Sequence, residues 1–225
     1  MFKESISPEA FQFLKALEKN NNREWFAENK VLFKSHESKI KTFYEAVKNN
    51  LSQHDEIEKL KMFRIYRDVR FSKDKTPYKA HFAGSLSRLG KANRGGYYLR
   101  LKPGETFIAT GFWDPNKEDL LRIRKELEMD ASEFKSVIEN KDFKKIWGNL
   151  QGDSVKTAPK GFDKEHPNIA LIRHKQFIFV RNFEDSEVLS SSFIEEIDKS
   201  FKAIRPYFDL MSSILTTNLN GESLI

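Results

Sequence analysis

The segment from residue 64 to residue 79 carries the densest group of side chains that could do chemistry in this chain. Six of them are cationic and two are acidic: Arg64, Arg67, Arg70, Lys73, Lys75 and Lys79, with Asp68 and Asp74. Guanidinium groups bind phosphate oxygens in pairs, and lysine adds a mobile positive charge. The local charge of +4, six cations less two acids, therefore predicts a surface that binds a phosphate-bearing or polyanionic ligand.

The cleft that we predict here has two further members. Tyr78 belongs to the same segment, and Lys160 comes from a later loop. Asp68 and Asp74 are expected to orient the cations. A structural interpretation stays open, in which these acids and others on the helices neutralise the arginines, so that the segment is an ion-pair network within a non-catalytic interaction module.

An enzymatic interpretation of the same cleft also stays open. The arginines would stabilise charge in the transition state of a hydrolase or transferase acting on a phosphorylated substrate, and Asp68 or His81 would move the proton. Ser72 and Lys73 are a poor nucleophile and base pair, because adjacent side chains in an extended segment diverge. The five histidines have no paired metal spacing and the chain has no cysteine, so we expect neither a metal site nor a cofactor.

Tyrosines interleave with the cations, which raises the question of nucleic-acid binding. Tyr66, Tyr78, Tyr97 and Tyr98 could stack bases above a groove that follows the phosphates. Packing between strands is favoured, because neighbouring residues such as Tyr97 and Tyr98 point to opposite faces of a sheet. The predicted partner is an anionic small molecule or nucleic acid.

The composition limits the number of domains, the class of partner and the cellular location that we expect. The chain has 225 residues, a net charge of +6 and a pI near 9.3, which fits one α+β domain over residues 1–225 and permits an anionic partner. It lacks cysteine, an apolar N-terminal leader and any run of about 20 apolar residues. These features predict a cytoplasmic protein without a membrane partner.

Periodicity and capping residues predict the elements that position the basic segment. Ser7 and Pro8 begin a first helix, and Asn22 caps a long second helix that ends near Leu51. Residues 61–71 alternate as a half-buried strand, with Phe63, Ile65, Val69 and Phe71 on one side. This alternation also puts Arg67 on the apolar side, where its charge would need a partner.

The remaining residues predict a meander and a set of helices. Strands are expected at residues 80–88, 96–102 and 106–112, and again at 176–183. A helix opens at Asp114 and Pro115, a ligand-facing loop covers residues 148–167, and a long helix over 186–219 should kink or split at Pro206. The expected fold is an antiparallel β-meander covered by an N-terminal helical hairpin and the long C-terminal helix.

Several distinctive blocks occur in one order along the chain. They are residues 22–30, residues 64–79 and residues 95–98, followed by Gly111 with Pro115, residues 159–162 and residues 171–177. In this order the chain resembles the family known as domain of unknown function 2461, over almost its whole length. The resemblance implies a soluble α+β domain of about this size. It implies no reaction, cofactor or catalytic residue.

Overall fold

The computed structural model describes residues 4–225 and confirms the α+β class. Five strands form one antiparallel sheet in chain order: β1 Ile57–Met62, β2 Phe82–Arg88, β3 Gly96–Leu101, β4 Thr106–Phe112 and β5 Phe177–Phe183. The helices are α1 Pro8–Lys19, α2 Arg23–Glu28, α3 Lys30–Leu51, α4 Lys117–Met129, α5 Ser132–Ile138, α6 Lys141–Trp147, α7 Ile169–Ile172, α8 Asp185–Val188, α9 Phe193–Ala203 and α10 Arg205–Thr216. Among residues 4–225, no helix combines the length and the apolar character that crossing a bilayer requires.

The chain divides into two compact units. Of the described residues, the first unit holds 4–86, 98–108 and 182–199, and the second holds 87–97, 109–181 and 200–225. The basic segment belongs to the first unit. The expectation of one domain over residues 1–225 stays a prediction.

The N-terminal helices begin where their capping residues predicted. The Ser7 hydroxyl accepts a hydrogen bond from the Ala10 amide, and Asn22 accepts one from the Trp25 amide at 2.8 Å. The expected long second helix is interrupted at Asn29, between α2 and α3. Its side-chain amide donates to the Trp25 carbonyl at 2.8 Å, the local competition with the backbone that asparagine offers.

In the core of the first unit, aromatic side chains of α3 pack against the sheet. Phe33 stacks on Phe82, with ring centroids 5.9 Å apart. Tyr44 is fully buried, and its hydroxyl donates to the Leu99 carbonyl at 2.9 Å. This packing fixes α3 against β3 and against β2, the strand that follows the basic segment.

The core of the second unit is centred on Tyr207 of α10. Its buried ring contacts five other aromatic rings, those of Phe112, Phe134, Phe143, Phe179 and Phe208. Its hydroxyl donates to the Phe177 carbonyl at 3.0 Å. One residue of β4, Gly111, also approaches Phe177 of β5 so closely that a side chain would not fit.

One helix break was predicted correctly, and one helix start was predicted too early. The C-terminal helix is divided at Ile204 into α9 and α10, with Pro206 in the first turn of α10, which confirms the predicted break. The helix predicted to open at Asp114 instead begins at Lys117. Asn116 is the cap, because its side-chain oxygen accepts hydrogen bonds from the amides of Glu118 and Asp119 in the first turn.

Candidate functional site

The basic segment is a loop, so the prediction of a strand over residues 61–71 was wrong. β1 ends at Met62, and the last β1–β2 hydrogen bond described runs from the Phe63 amide to the Ala83 carbonyl at 2.8 Å. The chain then leaves the sheet, and Phe71 is 95% exposed. Alternation produced no strand here because residues 64–71 join no strand of the sheet and make only one isolated bridge, to the other limb of the same loop. We call residues 63–81 the basic loop.

Backbone hydrogen bonds hold the two limbs of the basic loop together. The Arg67 amide donates to the Pro77 carbonyl at 2.9 Å, and the Lys79 amide donates to the Ile65 carbonyl at 2.8 Å. Between them, Tyr66 and Tyr78 form an isolated antiparallel bridge. The loop therefore has a defined base, and Arg67 and Lys79 belong to it.

Tyr78 anchors this base to the N-terminal helices. The Asn21 side chain accepts a hydrogen bond from the Tyr78 amide at 3.1 Å and donates one to the Tyr78 carbonyl at 2.9 Å. The Tyr78 ring is 6% exposed and stacks on Phe26 at 3.9 Å. Its side chain is thus occupied in packing, and the predicted role of Tyr78 as a ligand contact stays a prediction.

Two of the six cations are paired within the loop. Arg70 donates to both carboxylate oxygens of Asp68, at 3.0 and 2.6 Å, and Arg67 pairs with Asp74. The pKa of Asp68 is lowered by its hydrogen bonds from Arg70, and that of Asp74 by its hydrogen bonds from Thr76 and then by Arg67. These two ion pairs agree with the structural interpretation.

The other four cations are not neutralised in this way: Arg64, Lys73, Lys75 and Lys79. Across residues 4–225, no carboxylate lies at ion-pairing distance from any of them. The Lys75 ammonium donates to the Val69 carbonyl at 2.9 Å. The pKa of Lys79 is lowered, first by burial and then by the positive charges of Arg64 and Arg67.

His81 lies in the same positive surroundings. Its pKa is lowered to about 4, first by burial and then by the charges of four cations, Arg100, Lys79, Lys102 and Arg67. The imidazole is consequently neutral at pH 7. Asp68, the other candidate for proton transfer, is exposed and held by Arg70. A catalytic role for either residue stays a prediction.

The pKa of His81 predicts a pH dependence of folding. In the unfolded chain the imidazole takes up a proton near pH 6.5, whereas in the folded chain it does so only near pH 4. The contribution of neutral His81 to stability is therefore complete above pH 6.5 and is lost as the pH falls from 6.5 toward 4. Between about pH 7.5 and about pH 5.5 the loss should be at most about 1 kcal/mol, because the side chain is only partly buried and solvent screens part of the effect.

Urea unfolding of the wild type and of His81→Gln, followed across this pH range, would measure the effect. The variant should show a correspondingly smaller loss of stability on acidification, because glutamine does not titrate. Parallel pH profiles for the two proteins would contradict the assignment.

Two of the residues considered in the sequence, Lys160 and Tyr97, lie outside the basic loop. Lys160 is exposed and belongs to the second unit, and its predicted place in the cleft stays a prediction. Tyr97 is buried against Phe201 of α9, with centroids 4.7 Å apart, so it packs against a helix and not between strands as predicted. Within residues 4–225, no group of three histidine, aspartate or glutamate side chains is arranged to hold a metal ion.

The predicted cleft did not include Arg100 in β3 or Lys102, which directly follows this strand. Arg100 and Lys102 lie about 20 residues beyond His81 in the chain, yet both contribute to its positive surroundings. Lys102 also pairs with Glu18 at 3.2 Å and with Glu105. The alternation of β3 was the available signal, since it places Arg100 on the same face as Tyr98.

The chain matches a known protein family over most of its length. The family model described as "Conserved hypothetical protein (DUF2461)" matches residues 9–210. The chain belongs to the DUF2461 family. The sequence blocks that suggested this resemblance all lie inside the matched range, and the DUF2461 description assigns no reaction. No curated protein and no solved structure matched the chain.

Proposed function

We propose that the basic loop of the first unit binds a phosphate-bearing or other polyanionic ligand. The observation that supports this proposal is the group of four cations, Arg64, Lys73, Lys75 and Lys79, that lack an ion-pair partner among the described residues. Ordinary charged surfaces intersperse their signs, whereas this loop keeps a net charge of +4 over residues 64–79.

Mutual repulsion among the cations supports the same conclusion. Lys79 and His81 both have a lowered pKa, and in each case neighbouring positive charges add to the effect of burial. A bound anion would remove part of this repulsion and would raise both pKa values. The ion pairs Arg67–Asp74 and Arg70–Asp68 would meanwhile hold the backbone of the loop in place.

Ligand-induced thermal stabilisation should reveal the binding. We expect pyrophosphate, or a short single-stranded oligonucleotide, to raise the melting temperature by about 5–10 °C at 100-fold excess over Kd. The shift should shrink as salt is raised, because the contacts are between charges. In NMR titrations the pKa of His81 should rise when the ligand is present.

Single-charge variants test whether the basic loop is the binding surface. Lys73→Gln and Lys79→Gln should each weaken binding roughly two- to fivefold. Lys91→Gln is the matched control, since it removes one exposed charge from the second unit. If the three variants bind alike, or if the anions cause no thermal shift at low salt, the proposal is wrong and the loop is a structural network.

A further inference from the structure

An open groove lies beside the basic loop in the first unit. Its volume is about 420 Å³, within the range of roughly 300–1,000 Å³ that is usual for small-molecule sites. Met62, Phe63 and Phe82 line one side. Polar residues of α3, among them Ser38 and Lys41, line the other. The groove is therefore amphipathic across its width.

The charges of the groove favour an anion. Its one lining carboxylate, Glu37, pairs with Lys34, which also lines the groove. Across residues 4–225, Lys41 has no carboxylate at ion-pairing distance. The lining thus keeps one uncompensated positive charge, to which the neighbouring loop adds more.

Phe63 connects the groove to the basic loop. Its ring is 36% exposed, and it carries the ammonium groups of Lys61 at 5.7 Å and Lys79 at 6.0 Å from its centroid. An ammonium group at this distance from a ring is attracted by its negative face. Phe63 therefore offers an apolar surface with cations beside it, and one of them, Lys79, belongs to the proposed anion site.

We propose that the groove binds the nucleoside part of a mononucleotide whose phosphate contacts Lys79 and its neighbours in the basic loop. This proposal rests on the anion-binding function proposed above. A base would lie against Phe63 and Met62, since a flat ring pairs well with an exposed aromatic ring. The Ser38 hydroxyl and the Glu37 carboxylate would meet the hydroxyl or amino groups of the nucleoside.

The polar side of the groove is the reason to prefer a nucleoside over an alkyl chain. A lipid tail in the same position would desolvate Glu37, Ser38 and Lys41 without forming hydrogen bonds to them, which is unfavourable. A nucleoside presents a ring on one side and hydrogen-bonding groups on the other. It matches both sides of the groove.

Calorimetric titration with adenosine 5′-monophosphate, adenosine and inorganic phosphate tests the proposal. We expect the mononucleotide to bind at least tenfold more tightly than either fragment. Phe63→Leu should weaken binding of the mononucleotide roughly tenfold, the loss expected from one stacking contact, and leave phosphate binding unchanged. Phe71→Leu is the matched control, because Phe71 is an exposed phenylalanine of the same loop that does not line the groove.

The outcomes separate the two proposals. If phosphate binds but the mononucleotide binds no better, or if Phe63→Leu and Phe71→Leu behave alike, the groove assignment is overturned and the anion-binding loop stands. If neither phosphate nor the mononucleotide binds, both proposals fail. Circular dichroism of each variant would verify that folding is intact, and Phe63→Tyr, which keeps the ring, should restore the affinity that Phe63→Leu loses.

Discussion

Gly111→Ala is expected to lower the free energy of unfolding by roughly 2–6 kcal/mol. Gly111 has a φ of +117°, a conformation that side chains rarely adopt. A β-carbon there would overlap the Phe177 carbonyl oxygen and lie 3.0 Å from the Ile178 α-carbon. These atoms are backbone of the neighbouring strand β5, so they cannot move aside without disturbing its pairing with β4.

Gly90→Ala is the control that separates strain from overlap. Gly90 also has a positive φ, +75°, but nothing lies within 4 Å of its would-be β-carbon. The cost there should be about 1–2 kcal/mol. Equal losses for Gly111→Ala and Gly90→Ala in urea unfolding would show that the contact with Phe177 is unimportant.

Tyr207→Ala is expected to destabilise the protein by roughly 3–5 kcal/mol. The ring is fully buried among aromatic neighbours in the second unit, and its removal would leave a cavity that these stiff rings cannot fill. The measurement is the midpoint of chemical unfolding, followed by circular dichroism.

Tyr207→Phe divides this loss into its parts. It keeps the ring and removes only the hydroxyl that donates to Phe177 at 3.0 Å, so it should cost about 1–2 kcal/mol. A loss from Tyr207→Phe as large as that from Tyr207→Ala would place the stabilisation in the hydrogen bond and would contradict the packing argument.

The regular elements could be predicted because their signals are local. The strand β4 begins at Thr106 and ends at Phe112, as the sequence predicted, because Pro103 and Gly104 mark the turn that precedes it. Pro206 marks the division between α9 and α10. In each case the residue that sets the boundary of an element lies within a few residues of that boundary.

The basic loop could not be predicted from local signals in the same way. Phe63, Ile65, Val69 and Phe71 alternate as a strand would, but of the four only Ile65 is buried. A strand requires a partner at hydrogen-bonding distance, and alternation within one segment carries no information about that partner. Arg67 on the supposed apolar side was the local sign that the assignment was wrong.

The residues of the candidate site could be predicted from the sequence, but their ion pairs could not. The sequence alone located the six cations of residues 64–79. It could not tell that Arg67 and Arg70 are paired with Asp74 and Asp68 while Lys79 has no such partner, because side-chain distances depend on the path of the loop. The contribution of Arg100 to the surroundings of His81 depends on strand register, which the sequence does not fix.

The double hydrogen bond between Asn21 and Tyr78 links the order of the basic loop to the first helices. Asn21 stands between α1 and α2, so a truncation that removed α1 and this junction would also free one limb of the loop. Conversely, the loop loses most of its conformational entropy during folding, before any ligand binds. A chimeric or truncated protein would therefore need both the N-terminal helices and the basic loop for the loop to be ordered.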